Sequence, residues 1–453
     1  MLIPRFSLSQ SATHLSITIR CPYVKFSSST SNDEQNGVEV DFPSPDEFYF
    51  ACKPYYLHLY LPGRVIVKDV PNYTYDIDTS SFCFTYEKET KDEYFENLDM
   101  ITKLLHKNKK IVPNAVEEIG DESDDEPEED EDEPLWNQMR QLEIDGSNKI
   151  FSSFVHFECF LDQPKETLIS TYSYGFNHQY KDIFTNFDSE YSLIFDNQSP
   201  DTFPTSSIRS RRLEKEQSDF NVEHYLVDKY ELTDEELFHY KLTIDDELND
   251  QDRDDLKNLK YKQFLIDEPV SIYLGLIDLL YAFAYDQRIT QGESCCESSW
   301  NIHKLSSTLS WFDTFTDLPS VLIACCRRTL TYPLIRSFKL AKKCLSDVIE
   351  ILSSGKRAIL QCLLQIRRIF LDEEHRYLLN TLYLNDYCLW IQTDCQSKWL
   401  ESLIEAMKHT IASDLDEDDL GLDFDKQTFS WKVILHESSD SDDISSDDND
   451  ENC

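Results

Sequence analysis

The sequence predicts a multidomain protein in which an N-terminal all-β sandwich is followed by a large all-α domain. Through roughly the first 100 residues, apolar side chains alternate with a period of two, as in strands that bury one face. A helical period of apolar residues dominates from residue 254 to about residue 412. Between the two regions, positions 117–133 hold 13 acidic residues, a density at which like charges repel and extend the chain.

The predicted sandwich rests on strand-like stretches joined by short connections. Lys53-Pro54 divides the longest stretch into two strands, and Pro62-Gly63 predicts a turn. Because the apolar residues of each stretch fall on one face, antiparallel sheets packed against each other are expected. The stretches are LSITIRC at 15–21, EFYFACKPYYLHLYLPGRVIV at 47–67 and SFCFTYEKE at 81–89.

These patterns divide the chain into four segments. The sandwich is expected to cover residues 1–105, ending in a short helix within FENLDMITKLL at 95–105. An acidic disordered linker is predicted for 106–149, because it offers little apolar surface to offset the entropy of ordering. The α-helical domain then covers 150–412, and an acidic, largely disordered tail covers 413–453.

Two stretches characterise the helical domain. PVSIYLGLIDLLYAFAY, residues 269–285, predicts a helix that is buried nearly all round. Residues 333–370 carry an apolar stripe at helical spacing, with Pro333 expected in a first helical turn and a break at Ser353-Ser354-Gly355. The stripe begins with Phe338, Ala341, Leu345, Val348, Ile349 and Leu352.

Charge is distributed unevenly within the helical domain. Residues 318–370 hold ten Lys and Arg against Asp347 and Glu350, a local charge of +8. Helical spacing predicts that Arg336, Lys339 and Lys343 share one face. That face is either ordinary solvated surface or a dock for an acidic surface, for which the chain's own tail, residues 436–453, is one candidate.

Composition excludes several function classes. The chain has 43 Lys and Arg against 86 Asp and Glu, a formal charge of −43 that repels nucleic acid and anionic lipid. Direct nucleic-acid binding and membrane association are therefore not expected, whereas a basic protein partner is. The longest apolar segment contains Asp278 and is shorter than the roughly 20 residues of a spanning helix, and the N-terminus has no run of signal-peptide length.

The sequence nominates no catalytic centre, metal site or cofactor. Only 9 glycines occur, without the spacing of a phosphate-binding loop or a nucleophile elbow, and the 11 histidines match no metal-ligand pattern. The 13 cysteines include no C-x-x-C motif and are expected to be buried free thiols in a reducing compartment. Ser123, Ser439 and Ser445 lie among acidic residues, a context in which an acid-directed kinase could phosphorylate them.

Several long blocks resemble the SHQ family, the assembly factors of H/ACA ribonucleoproteins. In the helical domain the resemblance is carried by CCESSWNIHKLSSTLSWFDTF at 295–315, YPLIRSFKLAKK at 332–343 and LYLNDYCLWIQ at 382–392. The N-terminus is similar to the family's CS-type β-sandwich, a relative of small-heat-shock folds, through MLIPRFSLSQSATHLSITIRCPYV at 1–24, YFACKPYYLHLYLPGRV at 49–65 and YFENLDMITKLL at 94–105. The chain departs from the family in the polar insert at 27–37 and in its short tail.

The resemblance implies a non-catalytic assembly chaperone. Family members hold the free, dyskerin-like pseudouridine synthase at its RNA-binding face as an RNA placeholder, in box H/ACA snoRNP biogenesis and hence ribosome biogenesis. The AAA-type ATPases pontin and reptin are the partners implied for release, and the implied location is the nucleoplasm and cytoplasm. A general co-chaperone that works through the CS-like sandwich with a large heat-shock ATPase is the alternative, and an enzyme with an unrecognised site is a third possibility.

Candidate contact residues come from the blocks that carry the resemblance. Aromatic and Arg side chains commonly anchor interfaces, although a large aromatic in a helical domain more often belongs to the core than to an interface. The candidates are Trp300, Trp311, Phe312, Tyr332, Arg336, Lys339, Lys343, Tyr387 and Trp390.

Overall fold

The computed structural model describes residues 3–22, 38–52, 54–67, 73–76, 79–106, 173–184, 195–231, 235–266, 269–371, 373, 376–413 and 415–424. Within these residues an antiparallel β-sandwich precedes a helical region, which confirms the predicted fold class. The polar insert, the acidic run at 117–133, the tail at 436–453 and the three candidate phosphorylation sites lie outside the described residues.

The sandwich is built from two antiparallel sheets. One sheet has the order β1-β2-β8-β6, with β7 also paired to β8, and the other has the order β3-β4-β5. The strands are β1 (Arg5–Gln10), β2 (His14–Arg20), β3 (Val38–Ser44), β4 (Glu47–Cys52), β5 (Tyr55–Tyr60), β6 (Val65–Ile66), β7 (Tyr73–Asp76) and β8 (Ser81–Lys88).

Alternating burial along the strands explains why this segment folds as a sandwich. In β2, Leu15, Ile17 and Ile19 are fully buried, as the period-two pattern predicts. Antiparallel pairing places Ile17 opposite Phe84 of β8, whose ring packs edge-on against Phe48 of the other sheet at 5.5 Å. The two inner faces therefore meet in one aromatic-rich core, and a shift of one residue in register would turn each strand's apolar side outward.

The helical region contains helices of very different lengths. They are α1 (Ile101–Leu105), which follows the sandwich directly, and α2 (Thr205–Asp219), α3 (Val222–Glu231), α4 (Glu235–His239), α5 (Asp250–Lys257), α6 (Pro269–Ile289), α7 (Ser298–Leu305), α8 (Ser307–Ser310), α9 (Leu318–Thr331), α10 (Phe338–Ser353), α11 (Lys356–Leu371), α12 (Tyr377–Leu379), α13 (Asn385–Thr393) and α14 (Ser397–Ser413). A π-helical turn, Asn380–Leu384, leads into α13.

Helix α6 is the centre of the helical region. Every residue from Ile272 to Arg288 is buried, which confirms a helix buried nearly all round. Its one acidic side chain in the predicted stretch, Asp278, accepts hydrogen bonds from the Ser306 hydroxyl at 2.6 Å and the Thr308 amide at 2.8 Å. A buried carboxylate is tolerated at this depth because such donors replace its lost water.

Helices α10 and α11 follow the predicted stripe, but α10 begins later than predicted. The Ser337 side chain caps α10 by accepting from the Leu340 amide at 3.2 Å, so Pro333 lies in the connection after α9 and not in a first helical turn. The break at Gly355 is confirmed, since this residue has φ +86° between the two helices, a conformation that favours glycine.

The sandwich and the helical region pack into one compact unit. The Thr102 amide donates to the Gln392 side chain at 2.8 Å, and the Thr102 hydroxyl donates to the Leu256 carbonyl at 2.9 Å; both side chains are buried. On the surface, Arg5 of β1 pairs with Asp254 at 2.6 Å. Helix α1 is therefore an inner part of the junction and does not lead away from the sandwich.

Candidate protein-binding site

Four of the candidate aromatic contact residues belong to the core. Phe312 is 1% exposed and stacks on Tyr383 with ring centroids 6.3 Å apart. Tyr387 donates its hydroxyl proton to the Ile272 carbonyl at 3.0 Å, and Trp390 packs edge-on against Tyr273 at 4.7 Å. Burial contradicts the prediction that these side chains contact a partner, because most of their surface is already covered. The four are Trp311, Phe312, Tyr387 and Trp390.

Two candidate aromatics lie nearer the surface. Trp300, on α7, is 36% exposed. Tyr332, at the end of α9, is half-buried, with the Lys304 ammonium 4.2 Å and the Arg328 guanidinium 4.8 Å from its ring centroid. These distances suit cation–π attraction, so the ring of Tyr332 covers two cations of the protein itself.

The three basic candidates do not form the single helical face that spacing predicts. Arg336 precedes the cap of α10, and its guanidinium pairs with Asp228 of α3 at 3.1 Å. Lys339 is exposed on α10 with its ammonium 4.3 Å from the ring centroid of Phe238. Lys343, one turn later, is half-buried. Only Lys339 and Lys343 share a helix face, and the proposed basic triad is wrong.

Most cations of the basic segment 318–370 are paired with acids from other parts of the folded chain. Arg368 bonds to Asp252 and Asp255 of α5, and Arg367 lies 3.5 Å from Asp255. The segment's local charge of +8 in sequence is therefore largely neutralised in three dimensions, which argues against an open dock for an acidic surface. Ion-paired members of the segment are Arg327, Arg328, Arg336, Lys342, Arg357, Arg367 and Arg368.

The buried part of this pairing centres on Glu216 of α2. Its carboxylate accepts from Arg212 at 2.8 Å, Arg327 at 2.9 Å and Arg328 at 3.1 Å, and all four side chains are buried. Burial acts to raise the pKa of Glu216, but the three guanidinium groups outweigh it and hold this pKa below its usual value. The carboxylate thus stays ionised and joins α2 to α9.

A second carboxylate extends the network towards α7. Asp196 accepts from Arg328 at 3.0 Å and also bonds to the Lys304 ammonium. Burial acts to raise the pKa of Asp196, and Arg328 and Lys304 reverse that effect and lower it. Asp313 pairs with Arg212 at 2.8 Å, yet burial keeps the pKa of Asp313 above its usual value. These groups stabilise the helical region and are turned away from solvent, so they are structural.

The chain continues to pack after α14, beyond residue 413, where the sequence predicted the disordered tail to begin. Leu420 is 1% exposed, and its carbonyl accepts from the buried Arg327 guanidinium. Glu417 pairs with Lys229 of α3 at 2.7 Å, and Phe424 packs edge-on against Phe220 at 5.3 Å. Residues 415–424, here called the C-terminal strap, are therefore part of the folded unit.

A groove runs beside the strap. It has a volume of about 740 Å³ and lies between α2, α9 and the strap. Arg209 and Gln217 of α2 line one side, with Ile323 of α9 opposite. In its lining, Arg212 and Arg327 already belong to the ion network around Glu216, and Arg209 lies 3.7 Å from Asp317, so these three guanidinium groups are not free for a ligand.

An ordered acidic loop is the most prominent charged feature that sequence reasoning missed. Asp245, Asp246 and Glu247 are exposed, and the Gln361 amide of α11 donates to the carbonyls of residues 245 and 247 at 3.2 Å and 3.0 Å. Leu248 is buried below the loop. This segment, residues 245–247, is called the acidic loop; Gln361 holds its backbone, and its three carboxylate side chains are exposed.

The acidic loop and the α5 helix that follows it form one feature. Asn249 caps α5 by accepting from the Asp252 amide at 2.8 Å, in a reciprocal capping box. The local sequence TIDDELNDQDRDD shows the acids and the cap, but the anchoring side chain, Gln361, lies 116 residues from Asp245 in sequence. Composition alone could not distinguish this loop from an ordinary solvated charge run.

Other classes of site find no support among the described residues. There, no group of three or more His, Cys, Asp and Glu side chains is placed to hold a metal ion. In the same part of the chain, no helix combines the length and the apolar character needed to cross a bilayer. Cys326 is a buried thiol whose pKa burial raises to about 12, whereas Cys295 and Cys296 are exposed, contrary to the expectation of buried thiols.

Comparison with known proteins agrees with this architecture. The family model for the "SHQ1-like, CS domain" matches residues 3–105, which include the sandwich and α1. The model described as "SHQ1 protein, Shq1 domain" matches residues 239–424, a range that starts before the acidic loop and ends with the strap.

Similarity to curated relatives extends over most of the chain. A Protein SHQ1 homolog of Xenopus tropicalis is 34% identical over 459 residues, covering 96% of this chain and 70% of the relative. Protein shq1 of Schizosaccharomyces pombe is 34% identical over 425 residues, covering 87% of this chain and 89% of the relative. A homolog of Caenorhabditis elegans is 32% identical and covers 94% and 95%. With both folded regions matched in order and at this identity, the chain belongs to the SHQ1 family.

Proposed function

We propose that this protein is a non-catalytic assembly chaperone for H/ACA ribonucleoproteins. Membership of the SHQ1 family supports an assembly-factor role in general, and the family is chaperone-like. In the proposed mechanism the protein binds the free, dyskerin-like pseudouridine synthase at its RNA-binding face and acts there as an RNA placeholder. Pontin and reptin ATPases would drive release, and the protein would act in the nucleoplasm and cytoplasm.

The observation that supports this mechanism is the placement of charge. An RNA-binding face carries Lys and Arg side chains that lack counter-charges until RNA arrives. This chain has a formal charge of −43, and its basic segment is paired internally, so it contributes little positive surface. Exposed carboxylates of the acidic loop, whose backbone is held by Gln361, can stand where phosphates will later stand.

The same electrostatics explains how binding to the synthase would be reversed. Guide RNA carries a charge at every nucleotide and gains free energy from counterion release when it binds. It can therefore displace carboxylates whose attraction depends on simple charge complementarity. Phosphorylation of Ser123, Ser439 or Ser445 would add negative charge and strengthen the hold on a basic partner.

The decisive experiment measures binding of the full chain to an RNA-free synthase by fluorescence anisotropy. Charge reversal in the acidic loop, Asp245→Lys with Asp246→Lys, is compared with the same charge change on α14, Glu401→Lys with Glu405→Lys, where both positions are exposed. We expect about tenfold weaker binding for the loop variant at low salt and little change for the α14 control, since exposed charge pairs each contribute about 0.2–1 kcal/mol.

Two further measurements separate the proposed mechanism from its alternatives. Added guide RNA should displace the synthase, and raising the salt concentration should weaken the complex. If the complex resists both, the placeholder mechanism is wrong. If the full chain binds a heat-shock ATPase through its sandwich and ignores the synthase, a general co-chaperone is the better description.

A further inference from the structure

The outer face of the β3-β4-β5 sheet carries a continuous row of aromatic rings. Alternation along β4 and β5 directs Tyr49, Tyr56, His58 and Tyr60 away from the sandwich core, and all four side chains are half-buried. The neighbouring positions Phe48, Phe50, Leu57 and Leu59 point inward and are buried. The outward set is called the tyrosine face.

The rings of the tyrosine face contact one another across the two strands. Tyr49 packs edge-on against Tyr56 at 5.0 Å, with an angle of 84° between the rings. Tyr49 lies 6.1 Å from His58, and His58 lies 4.6 Å from Tyr60. Strand pairing fixes this order, since Tyr49 is opposite His58 in the β4–β5 register. The four rings therefore form a continuous ladder along the outer surface of the two strands.

Carboxylates border the ladder on two sides. On β3, Asp41 is paired with Tyr49 and Glu39 with Ala51, so both exposed acids lie on the outward side of the sheet. On β4, Glu47 is opposite Tyr60 and its carboxylate lies 3.3 Å from the His58 imidazole. Among the outward positions of these three strands, no Lys or Arg occurs.

Aromatic rings bordered by carboxylates favour cationic ligands. The faces of Tyr rings attract ammonium and guanidinium groups, and adjacent carboxylates neutralise the same cations. Phosphate groups are repelled by the bordering acids, so RNA and DNA are unsuited to this surface. A flat sheet face with rings spaced along two strands matches the alternating side chains of an extended peptide.

We propose that the tyrosine face binds an extended, lysine- or arginine-bearing segment of a partner protein. Charge complementarity and the aromatic ladder select this occupant. The surface lies in the sandwich and is separate from the acidic loop of the helical region, so the inference does not depend on the proposed function. The tyrosine face would give the chain a second binding surface for a basic protein partner.

The test uses the full chain and a fluorescein-labelled peptide of alternating lysine and threonine. Glu39→Lys with Asp41→Lys is compared with Glu93→Lys with Glu96→Lys, which makes the same charge change in a part of the sandwich outside this face. Tyr56→Ser is compared with Tyr94→Ser, because Tyr94 is 76% exposed and lies outside the face. Each face variant should weaken peptide binding relative to its control, by about tenfold for the charge pair and about threefold for Tyr56→Ser.

Photo-cross-linking identifies where the peptide binds, which matters in a chain with other acidic runs. A benzophenone-bearing version of the peptide should cross-link to β4 and β5 in the unmodified protein and lose those products in the Glu39→Lys, Asp41→Lys variant. Cross-links confined to residues 117–133, or equal affinities for face and control variants, would overturn the proposal. So would single-stranded RNA that competes by occupying the face.

Discussion

At the scale of single residues, a buried carboxylate joins several arginine side chains of the helical region into one ion-pair network. Glu216 is 0% exposed and is surrounded by Arg212, Arg327 and Arg328, which come from two helices more than 100 residues apart in sequence. An ion pair at this depth contributes little relative to apolar packing, but removal of one partner leaves charges that water cannot reach. The network is therefore a sensitive point for stability.

Glu216→Gln should destabilise the fold strongly. The substitution retains size but removes the charge that compensates three buried guanidinium groups, so the free energy of unfolding should fall by about 3–5 kcal/mol. Urea unfolding monitored by circular dichroism measures the loss. The control is Glu214→Gln on the exposed side of the same helix, which should stay within about 0.5 kcal/mol of the unmodified protein. Equal losses for both would show that the network is not responsible.

His303 should make the fold sensitive to mild acid. Burial, followed by the nearby Arg376, lowers the pKa of His303 to about 3, whereas the unfolded chain has an ordinary histidine pKa near 6.5. Between these values only the unfolded state takes up the proton, so the free energy of unfolding should fall by about 2 kcal/mol from pH 7 to pH 5. His303→Leu should remove that part of the pH dependence, measured by urea titration at each pH.

The matched control for this pH effect is His224→Gln, which replaces an exposed histidine of α3. His303→Leu should differ from this control in the slope of stability against pH. A His303→Leu protein with the slope of the unmodified chain would contradict the account, because carboxylates titrate in both proteins and cancel in the comparison.

At the scale of elements, the C-terminal strap is held by buried apolar side chains, of which Leu420 is the most buried. Leu420→Asp should release residues 415–424 from α2 and α9, because Leu420 is 1% exposed and its backbone carbonyl accepts a hydrogen bond from the buried Arg327. Hydrogen exchange measured by mass spectrometry should show protection lost over the strap, and the free energy of unfolding should fall by about 2–5 kcal/mol. Asp418→Asn, exposed in the same turn, should leave both unchanged.

Elements with strong periodicity could be predicted from sequence, and those defined by distant partners could not. The period of two in Leu15, Ile17 and Ile19 is sufficient to identify β2 and its buried face. Sequence alone does not give the start of α10, because Pro333 suits both a first turn and a connection, and only packing selects between them. It predicts a disordered tail over the strap, because the local charges of residues 416–419 mask the buried Leu420.

The site was harder to predict than the fold, because residue type does not reveal whether a side chain points into the core or towards solvent. Trp390 and Phe312 suit an interface or a core equally by composition, and their burial follows from helix packing that sequence spacing alone does not specify. Likewise, the basic segment looks exposed in sequence because its partners, such as Asp252 and Glu216, lie more than 100 residues away. The backbone of the acidic loop is likewise held by a residue distant in sequence, Gln361.

At the scale of the whole molecule, the sandwich and the helical region depend on each other. Gln392→Leu should break the junction, because it removes the acceptor of the Thr102 amide and the donor to the Thr102 hydroxyl, both buried. Burying an unsatisfied amide costs about 1–3 kcal/mol. Faster hydrogen exchange of the amides of α1 would show the effect, and Gln396→Leu, exposed nearby, is the matched control. Unchanged exchange in α1 would mean that apolar packing alone holds the junction.

The junction also sets an order of events when the chain is made. Ile101 and Leu104 of α1 are synthesised with the sandwich, yet the Gln392 side chain that completes their surroundings follows 290 residues after Thr102. At ribosomal rates of about 5–20 residues per second, that interval lasts about 15–60 s. For that time we expect the newborn N-terminal region to present the apolar side chains of α1 without their partner helices, a surface of the kind that factors for nascent chains shield.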